Sequence, residues 1–295
     1  MDGVINFFKP RGMTSHDAVY FFRKLLNIKK IGHTGTLDPN ATGVLPICIG
    51  KATRISEYLV DADKEYISEL TLGHATDTQD GEGQVIKSSN VNVNEQEIIE
   101  AFKMFKGNIS QVPPMYSALK YKGKKLYELA RQDIVVERKP RNINIYKLDI
   151  MKIQNNKKIL FHTKCSRGTY IRTLCNDIGM QLNTYGYMSY LIRTSVGKFN
   201  IEESLSMDYL KSLNSEELKK RILPIDFALA ELDYIDLPNN LFKKVINGAK
   251  VQLVGDTDYG IDEILRIYCG GEFIGVGRII CKDSSRYLKM DKVFI

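Results

Sequence analysis

Gly32-His33-Thr34-Gly35-Thr36-Leu37-Asp38-Pro39-Asn40-Ala41-Thr42-Gly43 is a stretch of glycines, threonines and turn formers that delivers the chain into an apolar segment at 44–49. Such a loop has too little apolar surface to hold itself in place by burial, so its order must serve something else. Its glycines let the backbone bring the Asp38 carboxylate close to a bulky ligand. Asp38-Pro39 also has the form of a helix start, because aspartate caps well and proline suits the first helical position. On the residues alone both readings of Asp38 stand. His33 is equally open, since an isolated loop histidine can simply pack or hydrogen-bond.

Upstream of the loop, residues 4–8 read as a strand that ends at Lys9-Pro10-Arg11-Gly12 in a turn. Ser15 is expected to cap a helix whose apolar face carries Val19, Phe22, Leu25 and Leu26. Downstream, 66–72 alternates as a half-buried strand, and 77–83 is a polar loop. Asn94 and Glu97 have capping-box form and open a helix through Phe105 that Gly107 terminates. Pro113 and Pro114 predict an extended segment over 115–120, followed by a short helix at 125–132. Residues 143–153 and 159–165 pattern as an antiparallel hairpin turning at Asn155-Asn156. A helix is expected over 169–182 and a strand region over 187–199.

From about Tyr234 the chain becomes short-stranded and punctuated by Gly248, Gly255, Gly260, Gly270, Gly271, Gly275 and Gly277, with a hairpin pattern across Gly270-Gly271. The expected architecture is α+β: a large domain over 1–230, then a small β-barrel-like domain over 231–295.

Charge is distributed unevenly. Residues 102–172 hold seventeen Lys/Arg against four Asp/Glu, an excess larger than the net +7 of the whole chain, while 233–295 is neutral. Like charges this dense repel one another, and a polyanion would neutralise them with release of its counterions. Nucleic acid is the natural partner. Within that segment Pro113-Pro114-Met115-Tyr116-Ser117-Ala118-Leu119-Lys120, then Lys122, Lys124 and Lys125, mixes an aromatic with cations, which suits an RNA loop with splayed bases. Cys165-Ser166-Arg167-Gly168-Thr169-Tyr170-Ile171-Arg172 sets two arginines at a strand-to-helix junction, where either could bind a carboxylate or phosphate, or form an ordinary salt bridge.

Several chemistries lack their signatures. No phosphate-binding G-x-x-x-x-G-K-[ST], dinucleotide G-x-G-x-x-G after a strand, G-x-S-x-G or H-E-x-x-H is present. The five cysteines (Cys48, Cys165, Cys175, Cys269, Cys281) include no C-x-x-C pair, and the four histidines are scattered, so neither a disulfide framework nor a metal site is expected. No apolar run approaches the roughly 20 residues of a membrane span, and the first ten residues lack signal-peptide form, so a cytoplasmic protein is expected. What remains is acid/base or nucleophilic chemistry by a carboxylate, with no cofactor.

Taken together, these segments resemble the TruB-type tRNA pseudouridine synthases along essentially the whole chain. The matching residues, in order, are Lys9-Pro10-x-Gly12-x-Thr14-Ser15, Gly32-His33-Thr34-Gly35-x-Leu37-Asp38-Pro39-x-Ala41-x-Gly43, Lys64-x-Tyr66 and Thr76-Asp77-Thr78-x-Asp80-x-x-Gly83. Pro113-Pro114-x-Tyr116-Ser117-Ala118-x-Lys120, Leu126-Tyr127-x-x-Ala130-Arg131, Gly168-Thr169-Tyr170-Ile171-Arg172 and Leu191-x-Arg193 follow. Ile192 stands where the family often carries a first arginine of Leu-Arg-Arg.

The resemblance implies a pseudouridine synthase fold, with a mixed, largely antiparallel central sheet flanked by helices and a PUA-type C-terminal domain. It makes Asp38 the essential carboxylate for cleavage of the N1–C1′ bond before C5 attacks C1′. Tyr66 matches the tyrosine stacked on the target base, Arg172 the arginine paired with the carboxylate, and Asp80 a second acid near the site. Tyr170 and Leu191 match pocket residues, and His33 one that holds the flipped-out nucleotide. Lys9, Lys120 and Arg131 are expected on the substrate, with an insertion near 105–145 gripping the T-arm of tRNA. No metal or cofactor, no obligate protein partner and a monomer are expected. An RNA chaperone using the same groove and a dyskerin-like, guide-directed subunit remain as alternatives.

Overall fold

The computed structural model describes residues 1–253, 258–283 and 285–295; Gly255, one of the punctuating glycines, lies outside them. The chain opens with β1 (Gly3–Lys9), α1 (Ser15–Leu26), β2 (Ile31–His33) and β3 (Thr42–Ile49). Then come α2 (Ser56–Asp61), β4 (Lys64–Leu72), and a hairpin of β5 (His74–Thr76) and β6 (Val85–Ser88). After α3 (Glu95–Met104) and β7 (Gly107–Gln111), a small excursion holds β8 (Lys120–Tyr121), β9 (Lys124–Lys125) and α4 (Leu126–Ala130). β10 (Arg141–Gln154), β11 (Lys158–Cys165), α5 (Ile171–Gln181), β12 (Gly186–Val196) and β13 (Phe199–Asn200) complete the large sheet.

That sheet runs β1-β3-β12-β4-β11-β10-β7, with β2 added to β3 and β13 to β12. Every pairing is antiparallel except β3 with β12, which run parallel at Thr42–Ile192 and Gly43–Arg193. The expected mixed, largely antiparallel sheet is therefore present, and its one parallel contact lies where the 32–43 loop ends. Gly43 has φ +108, and a Cβ there would sit 2.2 Å from the Arg193 carbonyl oxygen, so only glycine lets the strands approach this closely.

β4 alternates strictly, turning Tyr66, Ser68, Leu70 and Leu72 inward. Tyr66, Leu70 and Leu72 pack with Phe161, Ile145 and Ile159 against Ile98 and Phe102 of α3 and Leu174, Cys175 and Ile178 of α5. Each such large apolar side chain contributes about 1.5–3 kcal/mol by leaving water. A second core pins α1, through Val19 and Phe22, onto Phe7, Leu45 and Ile47. The platform so formed carries the 34–41 and 77–83 loops.

After α6 (Met207–Ser212), α7 (Ser215–Lys219) and α8 (Ile225–Ala228), the C-terminal unit holds β14 (Tyr234–Leu237), α9 (Phe242–Ile246), β15 (Val251–Gln252), β16 (Ile264–Cys269), β17 (Glu272–Lys282) and β18 (Ser285–Val293). Its five strands order as β14-β16-β17-β18-β15 around a core of its own. Val276 and Phe294 reach out of it to pack with Val4, Val44 and Ile55 of the large unit.

Three local expectations need correction. Thr14, not Ser15, caps α1, in a capping box with Asp17; the Ser15 hydroxyl is instead spent on the backbone of Leu37. Residues 115–119 are not extended. Proline fixes its own φ and restricts the residue before it but not those that follow, and here the Leu119 and Ser117 carbonyls accept from the Leu126 and Tyr127 amides, folding the segment back on α4. The helix expected over 125–132 is only Leu126–Ala130. The Asn155-Asn156 turn and the Asn94–Glu97 capping box are as expected, both asparagines of the turn having positive φ.

Candidate active site

Residues 34–41 leave β2 and return to β3 as a loop held from three sides. Ser15 of α1 exchanges two hydrogen bonds with the Leu37 backbone, its hydroxyl accepting from the amide at 2.8 Å and donating to the carbonyl at 3.0 Å. The Pro39 carbonyl accepts from the Gly12 amide (2.9 Å) and from the Lys9 ammonium (3.1 Å). Leu37 and Ala41 sink into the main core beside Tyr66 and Leu191. Asp38, between those two anchors, is thereby left at the surface of the core with its side chain 36% exposed.

Arg172, in the first turn of α5, closes on it. The guanidinium Nε lies 3.0 Å from Asp38 Oδ2, and Nη2 donates to Oδ1 at 3.3 Å. Nη2 also donates to the Tyr116 carbonyl (2.8 Å), Nη1 donates to the Thr78 carbonyl (3.2 Å), and Asp80 Oδ2 lies 3.8 Å from Nη1. The Arg172 side chain is only 7% exposed. A buried guanidinium is costly unless charge and hydrogen bonds meet it on several sides, and here three loops do so at once. Arginine suits the position because its planar fork offers several N–H groups in fixed directions.

The side chains packed beside Asp38 and Arg172 are apolar and aromatic. Tyr66 on β4 is buried, and burial pushes its phenol up to about 12 even with the Arg193 guanidinium beside it. Leu191 faces the same side from β12. Tyr170 precedes α5, its backbone held by both ends of the Gln111 side-chain amide, and burial raises its phenol too. Asp80 Oδ1 accepts from the Thr78 hydroxyl (2.6 Å) and the Glu82 amide (3.1 Å), which fixes the acid turn. Gly83 closes that turn: a Cβ there would meet Asp77 and Thr78 at 2.3 Å.

The structure thus brings Asp38, Arg172, Asp80, Tyr66, Tyr170 and Leu191 together. Lys9 is also close, but its fully buried amine points at the Pro10, Met13 and Pro39 carbonyls, and burial lowers it to about 8 against the pull of Asp38. It shapes the loop. His33 ends β2, its Nδ1 accepting from the Gly35 amide, and burial lowers its imidazole. Lys120 and Arg131 stand apart and exposed, on the β8–β9 hairpin and after α4.

Arg193 carries a role that the sequence reading left blank. It is almost fully buried and donates from Nε to the Val44 carbonyl (2.8 Å) and from Nη2 to the Gly35 carbonyl (3.3 Å), clamping both ends of the loop. Its signal was an arginine two residues from Leu191, on the inward face of an otherwise core-forming strand.

Known proteins resemble this chain over most or all of its length. The family described as TruB family pseudouridylate synthase (N terminal domain) matches residues 23–171, and the tRNA pseudouridylate synthase B C-terminal domain matches 172–230. Similar curated proteins include a tRNA pseudouridine synthase B of Clostridium kluyveri, 46% identical over the full length of both chains. One from Alkaliphilus oremlandii is 44% identical over 98% of this chain and 97% of its own. Among solved structures, a chain from the crystal structure of a Cbf5-Nop10-Gar1 complex aligns over 99% of this chain and 85% of its own, at 28% identity and TM-score 0.78. One from an H/ACA RNP bound to a substrate RNA containing 2'-deoxyuridine aligns equally widely, at 27% identity and TM-score 0.76. With two family matches that together run unbroken from 23 to 230 and full-length relatives above 40% identity, the chain belongs to the TruB family of pseudouridylate synthases.

Proposed function

We propose that this chain converts the T-loop uridine of tRNA, position 55, to pseudouridine, acting as a cytoplasmic monomer through Asp38 and without a cofactor. The substrate class follows the name its relatives carry, tRNA pseudouridine synthase B. The observation that carries the chemistry is a carboxylate gripped by a buried arginine yet open on one face, beside an aromatic pocket wall.

Uracil must leave the stack to enter such a pocket, because C1′ and C5 cannot both be reached inside it. Tyr66 offers a ring for the flipped base, with Leu191 and Tyr170 bounding the space and His33 at its edge. The N1–C1′ bond breaks with its electron pair going to the base; the base turns, and C5 bonds to C1′. C5 then loses its proton while N1 gains one, so substrate and product are isomers and no oxidant or second substrate is consumed. Asp38 either adds to C1′ as the base departs and leaves again when C5 bonds there, or takes a proton from C2′ and returns it as C5 bonds to C1′; in both routes Arg172 and the pinned loop set its direction. Asp80 supports Arg172 from the far side. Lys120, Arg131 and the neighbouring cations of the excursion grip the T-arm phosphates.

The test is tritium release from a tRNA transcript labelled at uridine C5, with purified protein, no added metal and no partner. Release by wild type and none by Asp38→Asn, with tRNA binding retained in both, is the expected result. Equal release by both would overturn the role of Asp38. The likeness to Cbf5 in its complex favours a second reading, a guide-directed subunit. That reading predicts no release from the isolated chain.

A further inference from the structure

Gln79 has backbone φ +64, in the left-handed region that glycine enters freely and other residues enter at a cost. It is nevertheless tied down at three points. Its amide donates to the Thr76 carbonyl (3.1 Å), its carbonyl accepts from the Met188 amide (3.1 Å), and its side-chain oxygen accepts from the Thr173 hydroxyl (2.8 Å). Thr173 is buried and follows Arg172 directly on α5. The residues on either side of Gln79 are the ones that meet Arg172: the Thr78 carbonyl at 3.2 Å and the Asp80 carboxylate at 3.8 Å.

We infer that Gln79 and Thr173 are a pair of positioning residues that set the spacing between the acid turn and Arg172, and through Arg172 the aim of Asp38. The inference rests on the reading of Asp38 and Arg172 given above. At 3.8 Å, Asp80 balances charge without taking a hydrogen bond, which leaves Nε and Nη2 of Arg172 for Asp38. Were the turn free to slide along α5, Asp80 could close on the guanidinium and draw it from Asp38, or the Thr78 carbonyl could leave it short of an acceptor. The Thr173 hydroxyl prevents both, because it fixes the turn from the residue next to Arg172. A strained glutamine is retained where glycine would be comfortable because glycine has no side chain with which to reach α5.

Gln79→Gly separates the two properties, since it keeps the backbone conformation and removes the tether. The experiment compares Gln79→Gly, Thr173→Val, the double variant and Thr173→Ser with wild type in single-turnover tritium release at saturating tRNA. Gln79→Gly and Thr173→Val are each expected to slow the chemical step about three- to tenfold, the effect of losing one buried hydrogen bond. The tRNA Kd stays within about twofold, and the double variant is no slower than the slower single one, as for two ends of one contact. Thr173→Ser, which keeps the hydroxyl, holds the wild-type rate. The melting midpoint of Gln79→Gly remains within about 3 °C of wild type, so its lost rate is not lost fold. Wild-type rates in both Gln79→Gly and Thr173→Val, or a Thr173→Ser as slow as Thr173→Val, would overturn the inference. Absence of release by wild type itself counts instead against the synthase reading, so the two failures are distinct.

Discussion

The 32–43 loop and the 112–140 excursion carry positive charge in opposite ways. Around the loop, Lys9, Arg172 and Arg193 are buried, and their donors point at named carbonyls and carboxylates of the protein. In the excursion, Lys120, Lys122 and Lys124 are exposed and form no ion pair among the described residues. Lys122 lies over the Tyr121 ring, and Lys125 and Arg131 lie over that of Tyr127. The excursion has a four-residue buried core, Met115, Leu126, Leu129 and Ala130, against the twenty-residue core beside Asp38. One set of cations is used to build geometry and the other stays in water. The two regions touch where the Tyr116 carbonyl accepts from Arg172. Chemistry and grip should therefore respond separately to mutation.

The largest expected effect is on the side of geometry. Gly43→Val places a branched side chain at φ +108 against the Arg193 backbone. It is expected to cost on the order of 3 kcal/mol in urea unfolding and to abolish turnover in the surviving folded protein. On the side of grip, the Lys120→Ala, Lys124→Ala double variant should bind tRNA about three- to tenfold more weakly. Its slope of log K against log salt should fall by roughly 1.4 to 1.8, while its rate at saturating tRNA stays that of wild type. A lowered saturating rate would break the separation.

The smallest effect is one of pH. Lys9 is lowered to about 8 from 10.5 by burial. Below pH 8 the amine is charged in both folded and unfolded chains, and the burial penalty is constant. As pH rises through 8 towards 10.5 the folded state sheds this proton first, so this group adds stability across that window. Yet the neutral amine has two N–H groups for three carbonyls, Pro10, Met13 and Pro39, and the loop loosens. Single-turnover rate should accordingly fall above pH 8 while the Lys9 contribution to stability rises. In Lys9→Met that alkaline limb should vanish.

Sequence patterns were most legible where structure is local. A capping box, an Asn-Asn turn and a strictly alternating β4 each leave their mark within a few residues. The β5–β6 hairpin left none, because all four residues of β6 are exposed and show no alternation. Lys9 and Lys120 look alike as motif lysines, yet one is sealed under the loop and the other is in water. Burial is decided by residues such as Pro39 that are thirty positions away. The same applies to Ser15 and Thr14: either hydroxyl could cap α1, and only the approach of Leu37 determines which is free to do so. Arg193 was visible as a charge on an inward strand position, but its acceptors, at Gly35 and Val44, required the parallel β3–β12 contact to be known.

The most direct test of the account measures Arg172→Ala on one preparation in two ways, by tRNA filter binding and by single-turnover tritium release. Because Arg172 spends its donors on Asp38, Thr78 and Tyr116 and has little exposed surface, the rate should fall at least about a hundredfold while Kd changes by less than about threefold. Equal losses in rate and affinity would contradict the account, placing Arg172 on the RNA rather than on Asp38.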